Sequence, residues 1–298
     1  MTTFLLHLLG KLPFSIRSRI GAALGFLFGS LPLRDRNFAV EQIRRFLNPP
    51  NPTHVARSVF AHFGALALEC CDLSPALKTN FNAVRCDDLP LVRKLLEQKK
   101  PIVALTAHIG NWELLAAFMC RHGVPVVTVA REARHAPFQA FLRERRAALG
   151  IETIWRGGTS AQKSMVNSLL EGKTVAALID QDTYVSGVGS TFFGHFVSTP
   201  SSLIALAKRH EAKIVTAFCV REKDGNYRAS VTEIPDEGSV KEVIDTFNSR
   251  LEHLIREYPE QWVWFHKRWR TQPDGARLSS SQYLEYLKNV PRAHSHPQ

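Results

Sequence analysis

Residues 101–122 read PIVALTAHIGNWELLAAFMCRH, and their pattern decides the fold. PIVALTA is a continuous apolar run of strand length, and NWELLAAFMCRH has the length and composition of a helix, so the segment predicts strand, turn, helix. A strand that is apolar throughout, without polar alternation, belongs to a sheet covered on both faces. His108 stands at the junction and Glu113 follows five positions later. On one regular helix five residues turn through about 500°, which sets the two side chains apart. The histidine therefore precedes the helix, and the glutamate lies in its first turn.

Working outward, VPVVTVA (124–130) reads as a strand, APFQAFLRERRAAL as a helix, IETI as a short strand, AQKSMVNSLLEG as a helix and TVAALI (174–179) as a strong strand. A Gly-rich loop then leads to a helix around SSLIALAKRH, a strand at KIVTAFCV, an outer strand at NYRASVTEI and a helix over 239–257. Upstream, NPPNPT (48–53) is a turn, and helices cover HVARSVFAHFGALALECCDL and 89–98. The alternation predicts an α/β fold with a mainly parallel central sheet flanked by helices. The expected division is an N-terminal apolar and basic region (1–53), one α/β domain (54–270) and a C-terminal tail with a short helix (271–298).

A chain of 298 residues, 45% hydrophobic, is long enough for a large core. The formal charge of +11 calls for an anionic partner. No aromatic and basic RNA platform, zinc finger or helix-turn-helix is present, so the expectation is no nucleic acid. The N-terminus carries two apolar segments separated by Lys11, Arg17 and Arg19. The uncharged stretch Ile20 to Leu33 has fourteen residues, short of the roughly 18 to 20 of a simple span. Helices lying on a membrane surface are the expectation, with a short tilted span and an ordinary helical hairpin as alternatives. Cys70, Cys71, Cys86, Cys120 and Cys219 have no metal-ligand spacing and read as reduced thiols.

If the strand stops before His108, the imidazole lies at the carboxyl end of a parallel strand, where open α/β sheets place their sites. Gly110 permits a tight turn, Asn111 can cap the helix, and Glu113 can reach back to the ring. A carboxylate on one ring nitrogen fixes the tautomer and leaves the other nitrogen free to accept a proton. No GxSxG elbow and no marked cysteine supplies a nucleophile, so the pair suits activation of a substrate hydroxyl. In the alternative reading His108 caps or bonds a loop and Glu113 faces solvent. HIGNWE is not HExxH, and no metal is expected.

HIGNWE resembles the HxxxxD/E signature of glycerolipid-type acyltransferases, and in its HxxNWE form the bacterial lipid A lauroyl/myristoyl acyltransferase family, itself similar to phosphatidylinositol mannoside acyltransferases. Arg131 beyond the second strand, LIDQD (178–182), FFG (192–194) with STP (198–200), and YPEQWVWFHKRWR (258–270) extend the resemblance over nearly the whole chain. It implies a glycerolipid-acyltransferase-like fold with N-terminal membrane-associating helices, no cofactor, and acyl transfer from acyl carrier protein or coenzyme A thioester to a hydroxyl of an anionic membrane glycolipid, similar to a lipid A precursor. It also implies a peripheral or monotopic place on the cytoplasmic face of the bacterial inner membrane. His108 matches the general base and Glu113 its orienting partner.

Further substrate-binding candidates are Asn111, Arg131, Arg134, Arg146, Asp180, Asp182, Thr199, His266 and Arg268. Arg131 suits a phosphate, or else a structural ion pair; Arg134 and Arg146 widen the positive surface or form a solvated face. Asp180 and Asp182 close a strand and can orient Arg131 or the acceptor, with a simple turn and, last, a divalent metal as the alternatives. Thr199 or Ser201 can cap the following helix, whose N–H groups suit an anion. His266 and Arg268 lie in an aromatic and basic block that reads either as core with a basic rim or as a phosphate contact. Two functions outside acyl transfer are carried along: a thioester or lipid hydrolase, and a noncatalytic lipid-binding envelope protein.

Overall fold

The computed structural model describes residues 2–78, 83–133, 135–156, 159–185, 187–235 and 237–291. In chain order the first elements are α1 (Thr2–Gly10), α2 (Phe14–Phe28), α3 (Arg34–Phe46), α4 (Pro52–Glu69), β1 (Val84–Arg85) and α5 (Leu89–Glu97). Then come β2 (Ile102–Thr106), α6 (Trp112–Arg121), β3 (Val126–Arg131), α7 (Ala136–Ala148), β4 (Glu152–Arg156), α8 (Thr159–Leu170) and β5 (Thr174–Leu178). The last are β6 (Gly187–Phe192), β7 (His195–Pro200), α9 (Ser202–Arg209), β8 (Lys213–Arg221), β9 (Tyr227–Ile234), α10 (Val240–Glu257) and α11 (Ser280–Asn289). They fall into two compact units, one of residues 1–20, 65–178 and 203–237, the other of residues 21–64, 179–202 and 238–298.

The first unit holds a seven-stranded sheet in the order β1-β9-β8-β2-β5-β3-β4. All neighbours are parallel except β8 and β9, so the α/β fold with a mainly parallel sheet is as the sequence pattern requires. Every residue of β2 is buried, which is why PIVALTA shows no polar alternation. After β2 the chain moves toward β3 and β4, and after β5 it crosses to β8 and β9, so the winding direction changes at the paired strands β2 and β5. That is where a crevice opens at the strands' carboxyl ends. One sheet face, with Ile102, Ala104, Val126, Val215 and Ala217, packs with Leu95 of α5 and with Leu115 and Met119 of α6 in a single core cluster.

The second unit is built around a hairpin where the sequence reading placed a Gly-rich loop. β6 and β7 pair antiparallel and are joined by Phe193 and Gly194, with φ of 49° and 75°, the two left-handed positions of a type I′ turn. The glycines that read as loop residues serve close pairing: a Cβ on Gly189 would lie 2.7 Å from the Phe196 ring across the ladder. Trp262, Trp264 and Trp269 are fully buried, and their indole N–H groups donate to Asp180, to the Pro259 carbonyl and to the Phe192 carbonyl. Trp269 stacks on Phe46 with ring centroids 3.7 Å apart. The aromatic block is thus core.

The N-terminal helices form, and among the described residues no helix is long and apolar enough to cross a membrane. Arg17 departs from its reading as part of a basic flank: it is fully buried and donates to the backbone carbonyls of Leu68, Glu69 and Asp72. The expected C-terminal helix is α11, and residues 292–298 of the expected tail lie outside the described residues.

Candidate active site

In the first unit, β2 ends at Thr106 and the loop to α6 is fastened to the neighbouring strand β8. Gly110 has φ +60°, and a Cβ there would lie 1.9 Å from the Cys219 carbonyl oxygen, so only glycine fits. The Asn111 backbone N–H donates to that same carbonyl at 2.8 Å. The Asn111 side chain caps α6 by accepting from the Leu114 N–H at 2.9 Å, and its amide donates to Glu69 Oε2 at 3.1 Å. Glu69, fully buried at the end of α4, also accepts from the Tyr227 hydroxyl and from Arg221. Asn111, a substrate-binding candidate by sequence, is therefore a buried clamp between two helices.

His108 is half-buried, with its ring edge-on to Trp112 at 5.1 Å. Glu113 lies in the first turn of α6, as expected, and its carboxylate is gripped by Arg146 of α7: Nε donates at 3.0 Å and Nη2 to the other oxygen. Both side chains are only 11–13% exposed. Burial disfavours the guanidinium charge, but the hydrogen bonds and charge of Glu113 outweigh it and raise the Arg146 pKa. Burial first, then the negative charge of Glu113 and Glu69, holds the Cys70 thiol well above its ordinary range. A carboxylate has about four lone-pair positions, so the fork of Arg146 fixes Glu113 and leaves capacity for a second donor.

Between the sheet and helices α5 and α6 runs a narrow apolar slot, with about 860 Å³ of space between atoms when the part open to solvent is counted in. Trp112, Glu113, Thr106, Leu178 and Arg146 line it at the carboxyl end of the strands. Below them lies a row of small residues, with Ala104 paired to Ala176 and Ala176 to Thr128. Ile102, Thr174 and Val126 form the next row, and Met119 and Val124 line the space beyond. From Thr106 to Ile102 the strand rises about 13 Å.

Arg131 is exposed at the last position of β3, in register with the equally exposed Arg156 of β4. Like charges placed opposite each other on neighbouring strands repel, an arrangement that a bound anion would relieve. Arg134 lies outside the described residues.

The other candidates belong to the second unit, and all but His266 are buried there. Asp180 accepts from the Trp262 indole at 2.9 Å, and Asp182 accepts from the Thr271 N–H at 2.7 Å and from Arg277 at 2.8 Å. Arg268 is fully buried and donates to the Ser198 carbonyl and the Thr199 hydroxyl. Burial lowers its pKa to about 10 in spite of the charges of Asp180 and Asp182. Thr199 lies inside β7, where its hydroxyl serves Arg268. His266 is half-buried in the turn that carries Arg268.

Residues 1–271 match the family described as bacterial lipid A biosynthesis acyltransferase. The chain belongs to this family. The acyltransferase is accordingly an O-acyltransferase of lipid metabolism, with an acyl thioester of the coenzyme A or acyl carrier protein type as co-substrate and a lipid as acceptor. Among solved structures it is similar to the 1-acyl-sn-glycerophosphate acyltransferase PlsC from Thermotoga maritima, at 11% identity and a TM-score of 0.38, covering 88% of this chain and 98% of that one. No curated protein matches the acyltransferase.

Sequence reasoning missed the clamp of Glu69, Arg221 and Tyr227 and the partner Arg156. Glu69 left one signal, a lone acid in the apolar run ALALECC. Arg156 left another, a charge closing a strand next to one already singled out.

Proposed function

We propose that the acyltransferase moves a fatty acyl chain from acyl carrier protein or coenzyme A to a hydroxyl of a phosphorylated membrane glycolipid resembling a lipid A precursor. The observation that carries this reading is the apolar slot, whose upper end is lined by Glu113 and Trp112 at the strand end from which His108 follows. An extended hydrocarbon advances about 1.25 Å per carbon, given bonds near 1.5 Å and angles near 111°. The strand rise of about 13 Å between Thr106 and Ile102 thus matches the length of about ten extended carbons, with Met119 and Val124 beyond.

In this mechanism His108 takes the proton of the acceptor hydroxyl as its oxygen attacks the thioester carbonyl. Glu113, held by Arg146, stabilises the imidazolium. The carbon–sulfur bond then breaks, and the histidine returns the proton to the departing thiolate, so no acyl-enzyme forms. Arg131 and Arg156 take an acceptor or donor phosphate at the edge of the sheet. The exposed apolar residues of α1, among them Phe4, Leu5 and Leu8, rest on the cytoplasmic face of the inner membrane.

The test is mass spectrometry of bacterial lipid extracts incubated with purified protein and either donor. A new acylated glycolipid is the expected product, and His108→Ala, still folded, forms none. Free fatty acid alone, with or without acceptor, would replace the reading by hydrolysis.

A further inference from the structure

The slot is apolar, yet two of the side chains lining it carry buried hydroxyl oxygens without a hydrogen-bond partner, Thr106 and Thr174. Thr128, the third threonine in the lining, donates to the Glu152 carbonyl at 3.2 Å and is satisfied. A buried polar group without a partner is destabilising, and native proteins keep few of them, so each asks for an explanation. The two differ in place. Thr174 pairs with Ile102 near the floor, four residues of β2 away from Thr106, or about 13 Å along the strand. Thr106 is the last residue of β2, with only Ala107 between it and His108, a separation of at most about 7 Å.

An acyl chain that fills the slot and presents its first carbon to a hydroxyl activated by His108 must pass Thr106 before anything else. The first carbon is also where charge develops: as the acceptor oxygen bonds to it, the carbonyl π pair moves onto the carbonyl oxygen and returns when the carbon–sulfur bond breaks. A donor fixed at that point, beside an apolar slot, favours the transition state over the ground state. Glu113 and Arg146, the charged groups at this end of the slot, are engaged with each other. Resting on the acyl-transfer reading above, we infer that the Thr106 hydroxyl donates to the thioester carbonyl oxygen and carries part of its developing charge.

The experiment compares Thr106→Val, which keeps the shape and removes the hydroxyl, with Thr106→Ser, which keeps the hydroxyl. Dodecanoyl-coenzyme A and an under-acylated phosphorylated disaccharide lipid in mixed micelles serve as substrates, with thiol release read alongside the thermal midpoint. Thr106→Val is expected to lower kcat by about 100-fold or more, the scale of one lost oxyanion donor, with KM for the thioester within a few fold of the parent. Its midpoint stays equal or rises, because an unpartnered hydroxyl has been removed. Thr106→Ser retains most of kcat. Should Thr106→Val not fold, Thr106→Ser against Thr106→Ala reads the same difference at equal loss of a methyl group. Near-parental kcat in the variants without a hydroxyl, equal losses in Ser and Ala, or a change in KM alone overturns the assignment. His108→Ala in the same assay separates the two ideas: if it is inactive while Thr106→Val is fully active, only the role of Thr106 falls; if it is active, the base assignment itself falls.

Discussion

Glu113 is an orienting carboxylate only if it is itself held, and the guanidinium fork of Arg146 does that from α7. A lysine at this position keeps the charge and loses the fork. Loss of one charge-assisted hydrogen bond amounts to about 1.5–3 kcal/mol, or about 10- to 100-fold if it is felt only in the transition state. Arg146→Lys is therefore expected to lower kcat by that factor with little change in KM for either substrate. Steady-state kinetics decide the matter, because an unchanged kcat with a raised acceptor KM would make Arg146 a phosphate contact, as a sequence reading of its positive helix allows. At the sheet edge Arg156→Gln should act the opposite way. Removing one of two registered arginines weakens an anion contact, so KM for the phosphorylated acceptor rises, by a larger factor at low salt than at high, while kcat holds. A salt-independent loss of kcat would contradict the phosphate role.

The sheet sets the dimensions of the site at the scale of its elements. The paired alanines Ala104 and Ala176 leave the middle of the slot open, and the next row sits one pleat repeat below. Ala176→Leu narrows the passage about two strand residues, or roughly 7 Å, below Thr106. Overpacking of this kind is unfavourable by about 1–3 kcal/mol, and a long chain meets it while a short one does not. The expected outcome is a fall of at least about tenfold in kcat/KM for dodecanoyl-coenzyme A, with butanoyl-coenzyme A, which ends above the constriction, unaffected. Equal losses for both chain lengths would show that the slot does not hold the acyl chain. These strands were legible in the sequence, since a strand buried on both faces must be apolar throughout and its period cannot be mistaken for a half-exposed one. The β6–β7 hairpin was not, since its glycines permit close cross-strand approach instead of a loop, and one-dimensional pattern does not distinguish the two. The junction at His108 was legible because Gly110 and Asn111 are demanded by local geometry, whereas the grip of Arg146 on Glu113 joins residues 33 positions apart and left no local trace.

Charge and greasy surface act over the whole molecule. On the proposed reading the net charge of +11 draws the acyltransferase toward anionic surfaces, and α1, with Phe4 73% and Leu8 51% exposed, is the apolar contact to be tested. Arg17 makes no direct contact with such a surface, since its guanidinium is buried on backbone carbonyls, so the exposed basic surface rests on other residues. Two terms of different origin predict two different responses. Salt screens the electrostatic part over about 8–10 Å, so binding to vesicles containing anionic lipid should weaken between low and physiological salt and persist in part. The apolar part is indifferent to salt and scales with buried area, about 1.5–3 kcal/mol for each large side chain transferred. The double substitution Phe4→Ser and Leu8→Ser is therefore expected to weaken vesicle binding by at least about 100-fold at any salt concentration. Release of thiol from a soluble thioester onto a detergent-dispersed acceptor, in the absence of vesicles, should stay at the parental rate, since neither residue lines the slot. Vesicle flotation measures the first quantity and thiol release the second. Undiminished flotation of the double variant would show that α1 is not the membrane contact, and the apolar residues left exposed elsewhere, such as Leu24 and Leu27 of α2, would then have to supply it.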